Sequence, residues 1–277
     1  MSNKHVVVGS GIAGIVAAYF EAKKGNKVIL IESDDRPGGL LKSDFINNCY
    51  FDYGTHILSE TCIKELDDFL FSGVNDDNCV ITNKIKTGNY FNGEMNNKSC
   101  YVNSSSIGEE LFSNGCMEIL ESKDNFATEN LEDFLLQKFG VTFYERIYKP
   151  VVKKYIGIDP KLLAPQVGTF FDMSRLLAFD DKMTKRLCKS EIYNSKLGHH
   201  SREQGVTKYY PRKGGVGRMI EFLIYKLKEV GVVTKLSTKI NKIEQNNGQV
   251  TAVITEEETI TIDKLIWTLP SSYLSYL

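Results

Sequence analysis

HVVVGSGIAGIVAAYFEAKKGNKVILIESDDRPGGLL, residues His5 to Leu41, decides how this chain folds. Its apolar start, His5–Val8, reads as a strand and runs into Gly9-Ser10-Gly11-Ile12-Ala13-Gly14, a G-x-G-x-x-G turn. Ile12, Ile15, Val16, Tyr19 and Phe20 then recur at helical spacing, and Gly25 stands where a helix stops. A second apolar run, Lys27–Ile31, ends on Glu32. Strand, glycine turn, helix, strand and acid in this order predict a dinucleotide-binding βαβ unit.

The residue types fit that chemistry. Gly9 permits the tight turn, Gly11 leaves the backbone bare where a pyrophosphate approaches, and Gly14 lets the helix pack closely on the sheet. Ile12 and Ala13 open the helix, whose positive end and unpaired N–H groups face the anion. Glu32, followed by Ser33, stands at the carboxyl end of the second strand. A carboxylate there accepts hydrogen bonds from an adenosine ribose and repels a 2′-phosphate, which favours FAD or NAD over NADP.

Arg36, Gly38, Gly39 and Leu40 follow the acid directly, and Phe51-Asp52-Tyr53-Gly54-Thr55-His56 comes soon after. Here the chain resembles the flavoprotein group that includes amine oxidases, protoporphyrinogen oxidase and UDP-galactopyranose mutase. In that group E-x-x-x-R-x-G-G extends the fingerprint. The resemblance implies FAD as cofactor. Arg36, Gly38, Gly39 and Leu40 would lie along its diphosphate and ribityl chain, with Gly54, Thr55 and His56 near the flavin ring. His56 is the candidate catalytic residue on this ground.

Outward from the fingerprint the chain reads in segments. Ser59 is placed to cap a helix carrying Ile63, Leu66, Phe69 and Leu70. Cys79 to Val102 reads as short strands with Asn92-Gly93 as a hairpin turn. Asn130 starts a helix that Gly140 ends, and the helix from Thr142 is limited or kinked by Pro150. Phe139-Gly140, Tyr144, Pro150, Lys154 and Gly157 resemble the substrate region of UDP-galactopyranose mutases, although Val151 and Ile156 replace that pattern's tyrosine and tryptophan. Lys154 is a substrate-binding candidate, against the reading of a solvated helix face. Met173 to Lys208 is basic and polar; Arg175 is the candidate for a substrate phosphate, and His199-His200 reads as a mobile surface loop rather than a metal site.

Order resumes at Tyr209-Tyr210-Pro211-Arg212-Lys213-Gly214-Gly215, which resembles the Y-P-x-G-G segment of the protoporphyrinogen-oxidase-like flavoproteins. By that resemblance Gly214 and Gly215 belong beside the flavin and substrate. A helix with Met219, Ile220, Leu223, Ile224 and Leu227 inward follows, then a strand at Val232–Leu236. Ile240 takes the place of the group's aliphatic residue against adenine. Asn247-Gly248 turns one hairpin of an antiparallel meander, and Leu265–Thr268 returns as a parallel strand with Leu269-Pro270 and Thr268 over the cofactor. The expected fold is α/β: a Rossmann-like FAD-binding domain, parallel sheet plus antiparallel β-meander, from residues 1–75 and 205–277, with a mixed α+β substrate domain, 76–204, inserted.

Composition narrows the classes. With 34 Lys and Arg against 35 Asp and Glu, net charge −1, nothing selects nucleic acid or an anionic surface as partner. Six dispersed cysteines without a C-x-x-C pair suit a reducing cytoplasm and show neither zinc spacing nor a disulfide framework. No apolar run approaches the roughly 18 residues of a membrane span. No metal ligand set and no hydrolytic triad is evident. The expectation is therefore an FAD-dependent oxidoreductase acting on a small-molecule substrate. The alternatives are a sugar-nucleotide isomerase like UDP-galactopyranose mutase, or a non-catalytic FAD-binding remnant or subunit. Members of the group run on beyond the point matched by Leu277, so the expectation is either a truncated product or a chain whose remainder another polypeptide supplies, with a homo-oligomer or a separate C-terminal chain as partner.

Overall fold

A computed structural model describes residues 3–54, 56–122, 128–200 and 205–276. Two compact units divide the chain: residues 1–83 with 206–277, and residues 84–205.

The first unit is organised by the strand β1 (Lys4–Val8), the helix α1 (Ile12–Lys23) and the strand β2 (Lys27–Ile31). β1 pairs in parallel with β2 on one side and with Lys264–Trp267 on the other, and Val233–Lys235 pairs in parallel outside β2. The uninterrupted valines of β1 are explained by burial on both faces of this sheet. Val7 packs with Ile15, Ala18, Leu30, Leu223 and Leu227 on the helical side. Val6 and Val8 pack with Val253, Ile260 and Ile262 of an antiparallel meander on the other. That meander runs Ile240–Asn246, Gln249–Thr255 and Thr259–Thr261, with Asn247-Gly248 turning the first hairpin. Each such side chain removed from water contributes about 1.5–3 kcal/mol, so the two layers pin the sheet from both sides.

Two details differ from the sequence-based expectation. Ser59 does not cap a helix: it lies in the short strand Leu58–Ser59, paired with Lys208–Pro211. The helix Lys64–Leu70 is instead introduced by Thr61, whose hydroxyl donates to Asp67 at 2.8 Å and accepts from the Ile63 N–H at 3.1 Å. Second, the unit extends past residue 75, because Cys79–Thr82 also pairs with Lys208–Pro211.

The second unit is mainly helical. Glu109–Glu121, Leu131–Phe143 and Lys149–Ile156 enclose a core of Ile119, Leu131, Leu135, Phe139, Phe143 and Tyr148. Asn130 caps its helix by accepting the Asp133 N–H at 3.0 Å, and Gly140 (φ 78°) breaks that helix. Pro150 does not stop the following one. It occupies the first turn of Lys149–Ile156, where its missing N–H costs nothing, after a π-type turn at Tyr144–Tyr148. The stretch after Met173 is ordered where described. Leu176, Leu177, Ala178 and Leu197 are buried, and Asp181–Leu187 and Glu191–Asn194 are helical. Ser99 donates to the His199 carbonyl at 2.8 Å, and the His200 ring bonds the Phe179 carbonyl.

Candidate nucleotide-binding cleft

The carboxyl ends of β1 and β2 open into a cleft of about 820 Å³ in the first unit. This is the position where open parallel sheets bind ligands. The turn Gly9–Gly14 forms its floor. Gly9 (φ 93°) could not carry a side chain, because a Cβ would sit 2.7 Å from the Thr268 hydroxyl, which itself donates to the Val8 carbonyl at 2.7 Å. Gly14 is forced by packing, since a Cβ there would lie 1.8 Å from the Gly9 carbonyl oxygen.

Gly11 is different. Its φ of −66° and ψ of 173° suit any residue, and a Cβ would meet nothing within 4 Å. Nothing in the protein requires a glycine there, yet the position lines the cleft at the start of α1. A bare backbone facing open space beside a helix N-terminus fits a pyrophosphate.

Glu32 lines the same cleft, although the carboxylate is mostly buried. Ser10 donates to Oε2 from its N–H at 2.8 Å and its hydroxyl at 2.6 Å. Oε1 accepts the Asp34 N–H at 3.0 Å and the Ser33 hydroxyl at 3.2 Å. Burial pushes the Glu32 carboxyl up, but these hydrogen bonds outweigh it and hold the group below its ordinary value, so it is ionised at neutral pH. The loop after β2 folds over the floor, with the Gly38 N–H on the Ser10 carbonyl at 2.9 Å. Gly38 (φ 122°) and Gly39 (φ 56°) take left-handed conformations, and a Cβ on Gly39 would stand 3.2 Å from the Gly11 Cα.

Of the residues singled out by sequence, Gly9, Gly11, Ile12, Ala13, Glu32, Ser33, Gly38, Gly39, Leu40, Ile240 and Thr268 line this cleft. Gly14 supports it from beneath. Arg36 is not in the lining; its guanidinium donates to Asp44 at 2.7 Å and to the Ser43 carbonyl at 3.3 Å. Thr55 lies outside the described residues. Gly54 (φ 140°) and His56 are also not in the lining, with the His56 ring over Gly54 and its Nδ1 buried without a partner among the described residues.

Gly215 belongs to a polar knot near His56, whereas a Cβ on Gly214 would meet the Arg218 side chain. A Cβ on Gly215 would strike the Ser43 hydroxyl and the Asp52 carboxylate at 2.4 and 2.5 Å. Asp52 accepts from Ser43 at 2.6 Å, the Val216 N–H at 3.0 Å and the Tyr210 hydroxyl at 2.7 Å, while Ser43 accepts the Gly217 N–H at 2.8 Å. These bonds satisfy the free N–H groups at the start of the helix Gly217–Glu229. Burial pushes the Asp52 carboxyl up; its hydrogen bonds more than reverse that. Lys154 and Arg175 are in the second unit: Lys154 is exposed, and Arg175 donates to the Leu197 carbonyl at 3.0 Å.

Sequence reading missed Asp34, Thr238, Lys239 and Tyr273 in the lining and Asp52 as a helix cap. A signal existed for one group. The Ser237 and Thr238 N–H groups bond the Asp34 and Glu32 carbonyls, both at 2.8 Å, as a polar pair directly after a parallel strand.

Comparison with known proteins agrees with this geometry. The NAD(P)-binding Rossmann-like domain family matches residues 7–70. The chain is 27% identical over 281 residues to 1-hydroxycarotenoid 3,4-desaturase of Flavobacterium sp. (strain P99-3), covering 94% of this chain and 55% of that protein. It spans about half the length of the curated relatives it matches end to end. Among solved structures, reduced UDP-galactopyranose mutase superposes with a TM-score of 0.75 at 20% identity, covering 99% of this chain and 56% of that one. Putrescine oxidase bound to putrescine superposes at 0.62 with 14% identity, covering 100% and 60%. The chain therefore carries a Rossmann-like domain, in a fold that UDP-galactopyranose mutase and putrescine oxidase share.

Proposed function

We propose that this chain is the FAD-binding part of an FAD-dependent oxidoreductase of the amine-oxidase and protoporphyrinogen-oxidase type, acting on a small molecule. The observation that carries the reading is Gly11, a glycine that neither its backbone nor its neighbours require, lining a cleft with an ionised acid at the end of β2. Gly11, Ile12 and Ala13 would receive the diphosphate at the helix N-terminus, and Glu32 the adenosine ribose. Ile240 offers the adenine an apolar wall, and Gly38, Gly39 and Leu40 flank the route onward. When bound, FAD supplies two-electron acceptance, taking a hydride from a C–N or C–C position of the substrate. His56 and the Gly214-Gly215 turn are the groups assigned to the flavin and substrate side, and Lys154 and Arg175 to substrate anchoring. The whole enzyme's activity and its cytoplasmic placement belong to the same proposal.

A second reading is a flavin-dependent isomerase of a sugar nucleotide, favoured by the TM-score of 0.75 with the mutase against 0.62 with the amine oxidase. One experiment separates them. The purified chain is titrated with FAD and with NADP, then incubated anaerobically with UDP-galactopyranose, with and without dithionite. Stoichiometric FAD binding with weaker NADP binding and no furanose product supports the oxidoreductase. Furanose formed only with reduced flavin moves the assignment to the isomerase. Equal or tighter binding of NADP defeats the FAD reading altogether.

A further inference from the structure

The four hydrogen bonds on Glu32 are not equivalent. A carboxylate offers about four lone-pair sites, so the chain's own donors already fill this one. Oε2 is bonded twice by Ser10, a residue with no exposed surface whose carbonyl is in turn tied to the Gly38 N–H. Oε1 is bonded by the Asp34 backbone and by the longest of the four contacts, the hydroxyl of exposed Ser33.

A ligand hydroxyl that bonds Glu32 must take one of these places. Removing the Ser10 hydroxyl from Oε2 would strand a buried donor with no water to take it over. Rotating the Ser33 hydroxyl away from Oε1 strands nothing, because solvent receives it. The Asp34 N–H is fixed by the backbone.

We propose that Ser10 is a positioning residue that locks Oε2 of Glu32, so that Oε1 is the oxygen that receives a ribose hydroxyl, and that the Ser33 hydroxyl holds this place until the ribose displaces it. The inference deepens the nucleotide reading of the cleft and rests on it. It gives the x position of G-x-G a role that its sequence pattern does not reveal. Without the Ser10 hydroxyl, Glu32 is free to turn, and the cleft loses its means of telling a ribose from a deoxyribose while keeping its contacts to phosphate.

The test uses ADP and 2′-deoxy-ADP as probes, titrated calorimetrically into the wild-type chain and into S10A and S33A, with Trp267 emission and far-UV dichroism checking the fold. Wild type should prefer ADP by about tenfold, the scale of one hydrogen bond to an ionised acceptor. In S10A that ratio should fall to within about twofold of unity, with 2′-deoxy-ADP affinity nearly unchanged. S33A should bind ADP about two- to threefold more tightly, having no hydroxyl to displace, with 2′-deoxy-ADP unchanged, so the ratio should rise by the same factor. Should S10A fold poorly, Ser10→Cys, close in size and a weak donor, carries the same test with an intermediate ratio expected. Wild type binding neither ADP nor FAD overturns the nucleotide reading and this inference together. Wild type binding both, with a ratio of unity or with an unchanged ratio in the Ser10 variants, overturns the lock alone. A tenfold loss of ADP affinity in S33A shows that Ser33 is a retained contact and overturns the displacement.

Discussion

Gly9–Gly14 in the first unit and Gly140–Tyr148 in the second both interrupt regular backbone, one between strand and helix, the other between two helical stretches. In the first, the irregular turn opens on a cleft: Gly9 and Gly14 are demanded by neighbouring atoms, and Gly11 only by what the space is for. In the second, everything turns inward. Gly140 takes φ 78° against Glu118, whose carboxylate accepts from the Thr142 N–H at 2.8 Å and the Thr142 hydroxyl at 2.7 Å, restarting the helix. The π-type turn that follows places Tyr144 and Tyr148 in the core, where the Tyr148 ring stacks on Phe139 at 4.3 Å. Unusual backbone alone thus does not mark a site. What marks one is the space on which the irregularity opens.

The largest effect expected comes from setting two of the fingerprint glycines against each other. Gly14→Val places side-chain carbons inside the van der Waals contact of the carbonyl of Gly9, whose N–H holds the Ile31 carbonyl at the end of β2, so the cost should exceed about 4 kcal/mol. At Gly11 an added Cβ meets nothing within 4 Å among the described residues, so the stability of Gly11→Val should stay within about 0.5 kcal/mol of wild type while FAD binding falls by at least about 100-fold. Trp267 is the one tryptophan of the chain and lies in the first unit, so its emission follows that unit's unfolding in denaturant. A Gly11 variant that loses stability, or one that keeps FAD, would erase the distinction between glycines kept for packing and glycines kept for a ligand.

The next effect tests how strongly buried charge ties the first unit together. Glu21 on α1 is nearly buried, and its carboxyl is brought from its ordinary 4.5 down to about 2. The Lys24 ammonium contributes most, burial opposes it, and His5 and Lys264 add to the lowering. His5 Nδ1 stands 2.7 Å from Glu21 Oε2, and Lys264 Nζ stands 3.3 Å from Oε1. A depressed carboxyl stabilises the fold above its unfolded value and loses that contribution as pH falls through its folded value. Stability should therefore drop between about pH 4.5 and pH 2, by roughly 3 kcal/mol from this group. Denaturant midpoints followed by Trp267 across that window should show the slope in wild type and lose most of it in Glu21→Gln. An equal slope in both proteins would place the acid sensitivity elsewhere.

The two units also differ in how much their sequence discloses. The parallel sheet, α1, the meander and most of the cleft floor could be read because each rests on a local rule. Those rules are an apolar run, a helical period, glycines at fixed offsets and Asn247-Gly248 in a hairpin. What escaped depends on pairings between segments far apart in the chain. Asp52 caps a helix that begins at Gly217, and Ser59 belongs to a strand paired with Lys208, which no local pattern around either residue records. Arg36 was legible as part of a motif, but its pairing with Asp44 depends on a hairpin whose register only the fold sets. In the second unit the helix starting at Asn130 was legible from its cap. The π-type turn was not, because Tyr144–Tyr148 carries no residue that forbids an ordinary helical turn, and Pro150 reads equally as a stop or as a first-turn residue.

The smallest effect sharpens the comparison at the level of single hydroxyl groups. Tyr210 in the first unit donates to the ionised Asp52 at 2.7 Å, within the knot that starts the helix Gly217–Glu229. Tyr148 in the second unit is buried, and its hydroxyl has no hydrogen-bond partner among the described residues. Burial pushes both phenols up, Tyr210 to about 12 and Tyr148 well beyond the usual range, so both are neutral donors throughout the physiological range. Removing either oxygen leaves nearly the same ring in place, so the two phenylalanine variants compare one hydrogen bond with none. Tyr210→Phe should cost about 2 kcal/mol, because Asp52 stays ionised and loses one of its three donors. Tyr148→Phe should change stability by less than about 1 kcal/mol and in the stabilising direction, since a buried donor without a partner is a penalty that the variant removes. Trp267 emission reads the first variant and far-UV dichroism the second. A Tyr148→Phe protein destabilised as much as Tyr210→Phe would mean that the second unit's π-type turn holds a hydrogen-bonded group after all, and that its irregular backbone, like that of Gly9–Gly14, serves something other than packing.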